Sequence, residues 1–216
     1  MLVLVLDTSS AAVAAALVDV SADGVSGIAE HVTVDARGHA EYLAPMIDAC
    51  LRDASATPGD LHAVVAGTGP GPFTGLRVGL VTAAVLSETL DIPAYGVCSL
   101  DGIADGTDGL LVATDARRNE VYWASYRDGA RVDGPQVSRP AEVPLDGLSA
   151  MAGAGARLYQ DVLRLPLLDR DHPVPIALAE HAQDRIVKRA PSEPLTPLYL
   201  RRPDAVAPGA PKAVSQ

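Results

Sequence analysis

Four glycines fall within eleven residues in Gly67-Thr-Gly-Pro-Gly-Pro-Phe-Thr-Gly-Leu-Arg77. Glycine permits positive φ and close backbone approach, and a turn that feeds a helix N-terminus is a natural anion site. The phosphate-loop pattern G-x-x-x-x-G-K-[ST] is not met, because this segment has no lysine. Two uses stay open for the loop: it packs backbone and shapes a surface, or it contacts phosphate. Two aspartates suggest related chemistry. Asp7 closes the apolar run Leu2-Val-Leu-Val-Leu, and Asp115 closes Leu110-Leu-Val-Ala-Thr. Each stands where a two-lobed nucleotide-binding enzyme would hold phosphate or magnesium, or where an aspartate simply caps its own turn. Thr8, Ser9 and Ser10 are small enough to admit a phosphate. Ala116, Arg117, Arg118 and Asn119 replace any glycines in the second turn, so half of such a clamp is missing. Asp7, Thr8 and Ser9 are the candidate nucleotide contacts.

Other chemistries find no support. His31, His39, His62, His172 and His181 form neither an H-E-x-x-H nor an H-x-x-x-H pair, so no metal site is expected. His39 with Glu41 reads as a feature of a helix start. No serine sits in G-x-S-x-G. Cys50 and Cys98 lie far apart and outside any C-x-x-C pair, which fits a reducing cytosol and a cytoplasmic protein. The first apolar run lacks a basic leader and ends at Asp7, and Ala11 to Val18 is too short to span a bilayer, so neither a signal peptide nor a membrane role is expected.

The elements that must position these residues begin with apolar runs at Leu2 to Leu6, Val13 to Val20 and, after the turn at Gly24, Val25 to Val34. They read as three antiparallel strands. Leu43, Met46, Ile47, Cys50 and Leu51 predict a helix over His39 to Ala54. Pro45 lies inside it, so the helix either starts later or kinks. A buried strand at Ala63 to Ala66, the glycine loop, a helix over Phe73 to Leu90 and a strand at Ala94 to Val97 suggest parallel additions. The pattern then repeats in part: Leu110 to Asp115 echoes Leu2 to Asp7, and Val121 to Tyr126 follows as its second strand. Asp115 lies 108 residues after Asp7, half of the 216-residue chain, as a duplicated fold would give. Beyond this, Pro135, Pro140 and Pro144 read as loops, Ala177 to Arg189 as a helix, and the proline-rich end as a frayed tail.

On the helix over Phe73 to Leu90, Gly75, Gly79 and Ala83 form one i, i+4 row. Each interior glycine costs roughly 1 kcal/mol against alanine, so the row calls for a reason. It either packs on the chain's own helix at His39 to Ala54 or forms a groove for a partner's helices. Composition narrows the choice of partner. With 27 acidic and 17 basic residues the net charge is −10, which gives no general attraction to a phosphate backbone. Aromatics are only 4%, so the core is built from Ala, Val and Leu at short range.

Taken together, Leu6-Asp-Thr-Ser-Ser10, His39-Ala-Glu-Tyr-Leu-Ala-Pro-Met46, the Gly67 to Arg77 loop, Gly96-Val-Cys-Ser-Leu100, Thr114-Asp-Ala-Arg117 with Glu120-Val-Tyr-Trp123, Gly153-Ala-Gly155 and Pro197-Leu-Tyr-Leu-Arg201 resemble the TsaB (YeaZ) family. Members take part in forming threonylcarbamoyladenosine in tRNA. The resemblance runs from residue 6 to 201, and the glycine loop is its most specific part. The family's usual serine in that loop is Pro72 here. The resemblance implies an α/β, two-lobed actin-like (ASKHA, RNase H-like) fold with mixed five-stranded sheets and a reduced second lobe. It divides the chain into a first lobe over 1–105, a second over 106–202 and a disordered tail over 203–216.

It also implies a paralogue of a metal-bearing catalytic subunit, TsaD, that moves a threonylcarbamoyl group from threonylcarbamoyl-adenylate to N6 of adenosine 37, with the small ATPase TsaE required. On this reading the chain is a non-catalytic subunit, a pseudoenzyme that holds the paralogue through the first lobe's helices. Leu43, Met46, Ile47, Phe73, Gly75, Leu76, Gly79 and Ala83 are the expected interface. It holds no metal and no cofactor of its own, with ATP or ADP placed at the complex interface, tRNA reached only through the complex, and a homodimer as the resting state. The alternative is an independent ATP-binding phosphotransferase or ATPase of the same superfamily with Asp7 at its centre. A peptidase has neither nucleophile nor metal constellation to support it.

Overall fold

A computed structural model of the chain describes residues 1–104 and 106–201; the expected tail over 203–216 lies outside the described residues. Strands β1 (Leu2–Asp7), β2 (Ala12–Ser21) and β3 (Gly24–Val34) form an antiparallel meander. Strands β4 (Ala63–Gly67) and β5 (Ala94–Val97) add in parallel, giving the order β3-β2-β1-β4-β5. The alternating side chains of β1 serve two cores. Leu4 and Leu6 point to helices α1 (His39–Asp53) and α2 (Phe73–Leu90), where they meet Leu43, Leu76 and Ala83. Val3 and Val5 point the other way, to Leu178, Ala182 and Ile186 of a C-terminal helix over Pro175–Val187. A sheet covered on both faces needs strands apolar on both faces, which is why β1 and β4 read as unbroken apolar runs.

The second sheet repeats the first. Strands β6 (Leu110–Asp115), β7 (Val121–Arg127) and β8 (Ala130–Ser138) form a second antiparallel meander, and β9 (Ala150–Ala152) adds in parallel to β6. Among the described residues four strands form here where five were expected. In place of a fifth strand a single parallel bridge joins Met151 to Leu167, on the side of β9 where β5 stands beside β4 in the first sheet. The covering is reduced too: one face meets the link Cys98 to Ala104, the other the short helices α3 (Ala154–Leu158) and α4 (Gln160–Leu163). The helix over Pro175–Val187, α5, returns to the first sheet, and the following segment stays there, with Ala94 N donating to Ser192 and Glu193 N to Ala94. This stretch, expected with the second lobe, therefore packs on the first sheet.

Two proline expectations change. α1 runs unbroken from His39, and Pro45 sits on its exposed side, where solvent can serve the carbonyl of exposed Glu41. Pro135 lies within β8, an edge strand, where a missing N–H costs no ladder bond on the open side. α2 is long and apolar enough to cross a membrane by length and composition, yet five of its residues are buried on the first sheet's side.

Candidate interlobe site

The ends of β1 and β6 face one another across a cleft of about 540 Å3, lined by Ser9, Ser10, His39, Thr74, Thr114, Asp115, Arg117 and His172. The two aspartates make the same local turn. Asp7 Oδ1 accepts the Ser9 N–H at 2.9 Å, and Asp115 Oδ1 accepts the Arg117 N–H at 2.8 Å. Their surroundings differ. Asp7 is 2% exposed and also accepts from Ser9 Oγ at 2.8 Å and from Ser99 Oγ at 2.6 Å. Burial raises its pKa above the ordinary carboxyl value, against the opposing pull of these hydrogen bonds. Gly67 backs the carboxyl so closely that a Cβ there would overlap Asp7 Oδ2. Asp115, by contrast, lines the cleft and meets Arg117 at 3.4 Å.

The candidate nucleotide contacts therefore separate. Asp7 and Thr8 are closed off by internal bonds: Thr8 Oγ1 donates to the Gly75 carbonyl at 2.8 Å and accepts the Gly79 N–H at 3.0 Å. Ser9 alone of the three lines the cleft. The Thr8 contact also explains the small-residue row. A Cβ on Gly79 would stand 2.6 Å from Thr8 Oγ1, and one on Gly75 3.0 Å from the Thr8 carbonyl. The row lets α2 close on the end of β1, which neither open reading of the sequence named. The glycine loop packs backbone in the same way, with Gly71 against the Ser9 carbonyl.

The expected interface residues are corrected accordingly. Leu43, Met46, Ile47, Leu76 and Ala83 belong to the first core, Gly75 and Gly79 are buried on β1, and of the set only Phe73 is exposed. On the opposite face of α2, Val81 is 60% and Val85 57% exposed. Arg77 precedes them in the same i, i+4 row and is exposed as well.

Several site residues had no decisive signal in the sequence. His39 is no cap, since Gly38 is the N-cap; its Nε2 lies 2.8 Å from the Ser10 carbonyl and ties α1 to the β1–β2 turn. His172 Nδ1 and Thr114 Oγ1 are buried without a hydrogen-bond partner, and both residues line the cleft. Burial holds the His172 pKa below its usual value. Burial pushes both free cysteines up to about 11, away from the range of a reactive thiolate. A second hollow of about 730 Å3 adjoins the cleft across Pro72, Phe73, Asp115 and Arg117, and includes Tyr122, Tyr199 and Arg201. There Phe73 and Tyr199 stack with centroids 5.2 Å apart, and the Arg77 guanidinium lies 4.3 Å over the Phe73 ring. Arg201 reaches across to the β6–β7 turn, donating to the Ala116 carbonyl and pairing with Glu120.

A duplicated meander-plus-parallel-strand sheet, with both β1-type ends turned to one cleft, defines a two-lobed protein of the actin-like, RNase H-like class. Residues 28–163 match the family described as TsaD: tRNA N6-adenosine threonylcarbamoyltransferase. The chain belongs to this family, in its TsaB/YeaZ branch. It is 50% identical to an uncharacterized protein of Mycobacterium tuberculosis over 94% of this chain and 93% of that one. It is 48% identical to an uncharacterized Mycobacterium leprae protein over 94% of this chain but only 56% of that relative's length. The Escherichia coli tRNA threonylcarbamoyladenosine biosynthesis protein TsaB is 29% identical over 93% of this chain and 95% of its own. The solved structure of YeaZ from Pseudomonas aeruginosa superposes with a TM-score of 0.77 at 27% identity, covering 92% of this chain and all of that one.

Proposed function

We propose that this chain serves formation of threonylcarbamoyladenosine in tRNA as a subunit that supplies no catalytic group and holds a TsaD-type paralogue. The observation that carries this reading is the exposed Val81 and Val85 row on α2, an apolar face on a helix whose other side is committed to the first core. Such a face is stable in water when another helix covers it. The occupant is the paralogue, or a second copy of this chain when the paralogue is absent. The closing of Asp7 by Ser9 and Ser99 supports a role without chemistry of its own. The nucleotide expected at the complex interface meets this chain at Ser9 and Ser10, the hydroxyls that line the cleft.

The test is reconstitution from tRNA, a TsaD-type subunit, a TsaE-type ATPase and threonylcarbamoyl-adenylate, with modified adenosine read by mass spectrometry. Product is expected with the natural chain and not with a Val81→Asp, Val85→Asp variant, which keeps its fold because both positions are exposed. Equal product without the chain overturns the function; equal product with the variant overturns the docking face.

A further inference from the structure

We infer that the Arg77, Phe73 and Tyr199 stack is a platform for unstacked nucleobases of a single-stranded RNA loop. The choice of RNA rests on the tRNA reading above; the platform itself rests on geometry. Phe73 is the chain's only phenylalanine, in a sequence with 4% aromatics, and it stands 55% exposed where the core would gain most from it. Tyr199 beside it is 45% exposed. An aromatic pair left in water loses the burial that normally justifies large rings. Both rings nonetheless stand on anchored backbone. Phe73 begins α2, and Tyr199 is fixed between Leu198, whose N–H donates to the Thr68 carbonyl, and Arg201, which is bound to Ala116 and Glu120. Exposed rings on anchored backbone, flanked by a guanidinium plane, are what sequence-tolerant base stacking requires.

Local charge points the same way. The chain carries −10 overall, yet Arg117 and Arg201 line this hollow beside Asp115, Arg77 stands over its Phe73 ring, and Glu120 pairs with Arg201. Phosphates beside a stacked base would meet three arginines against two carboxylates here, on a chain that is acidic overall. The hollow of about 730 Å3 has room for a flipped base beside the rings. The chain would then touch tRNA itself, where the sequence suggests contact only through the complex.

The experiment titrates the full chain with a labelled RNA hairpin that presents a single-stranded loop, and with the same sequence closed into a blunt duplex, by fluorescence anisotropy at low and moderate salt. The hairpin is expected to bind more tightly than the duplex, and Phe73→Ala or Tyr199→Ala to weaken the hairpin by about fivefold to 150-fold. Equal affinity for hairpin and duplex, or no loss in both variants, overturns the platform. So does a Phe73→Ala chain that keeps RNA binding but loses the TsaD-type subunit, since the rings would then be protein contacts. The Val81→Asp, Val85→Asp variant should retain hairpin binding, which separates failure of the docking face from failure of the platform.

Discussion

The two lobes of this molecule have one strand plan and two standards of enclosure. The first sheet lies between helices of 15, 18 and 13 residues, whereas the second is covered by helices of 5 and 4 residues and by loops. The same aspartate turn sits at the end of β1 and of β6, buried in the first case and open to the cleft in the second. Duplication has preserved backbone geometry more faithfully than chemistry. A turn is kept by its hydrogen bonds, while what a carboxylate can do depends on what has closed around it.

The equivalence of the backbones can be broken hardest at the glycines that press each post-strand loop onto the neighbouring strand end. Gly153 has φ +104°, and a Cβ there would overlap the Ala113 carbonyl, as one on Gly71 would overlap the Ser9 carbonyl. Gly153→Ala should cost about 3 kcal/mol or more, from strain and overpacking together. Its melting temperature should fall by roughly 6–12 °C, with Gly71→Ala close behind. An unshifted thermal transition in either variant would mean that the two loops are not held in the same way.

The difference in enclosure is sharpened by matched aspartate changes. Asp7→Ala strands Ser9 and Ser99 donors in a buried place and should cost about 2–3 kcal/mol in denaturant unfolding. Asp115→Ala, beside the cleft and an exposed arginine, should cost about 0.5 kcal/mol. Equal losses would erase the contrast. The smallest effect is one of pH. Because burial raises the Asp7 pKa above the ordinary 3.8, the folded chain holds that proton more tightly than the unfolded chain does. Its contribution is fully present below 3.8, where the carboxyl is neutral in both states, and is lost as pH rises through the raised value. Asp7→Asn, neutral throughout, should therefore gain on the natural chain as pH climbs from about 4 to 7. Parallel stability curves would show that Asp7 is not enclosed as described.

Much of this plan was legible in the residues. The limits of α2, β5 and β6 agree with the periodicity because glycine and proline punctuate them and their apolar runs are unbroken. The offset of 108 residues between Asp7 and Asp115 carried the duplication. What stayed hidden was of two kinds. β8 contains Pro135 and β9 has only three residues, so neither offers a run long enough to stand out from loop. The faces of α2 were hidden for another reason. Periodicity shows that Gly75, Gly79 and Ala83 share a side, but not that Thr8, 67 residues upstream of Gly75, occupies it. Tyr199 lies in a segment with no period at all, and only its stacking on Phe73 gives it a place in the site.

The return of α5 to the first sheet bears on how the molecule is made. A ribosome that has released the first hundred residues has released all five strands of that sheet, but Val3, Val5, Val65 and Tyr95 have no cover until residues 175–187 emerge. The N-terminal half of this duplicated chain thus cannot be finished before the C-terminal half. Vectorial synthesis leaves it a one-faced intermediate, for which the second lobe is also a delay line.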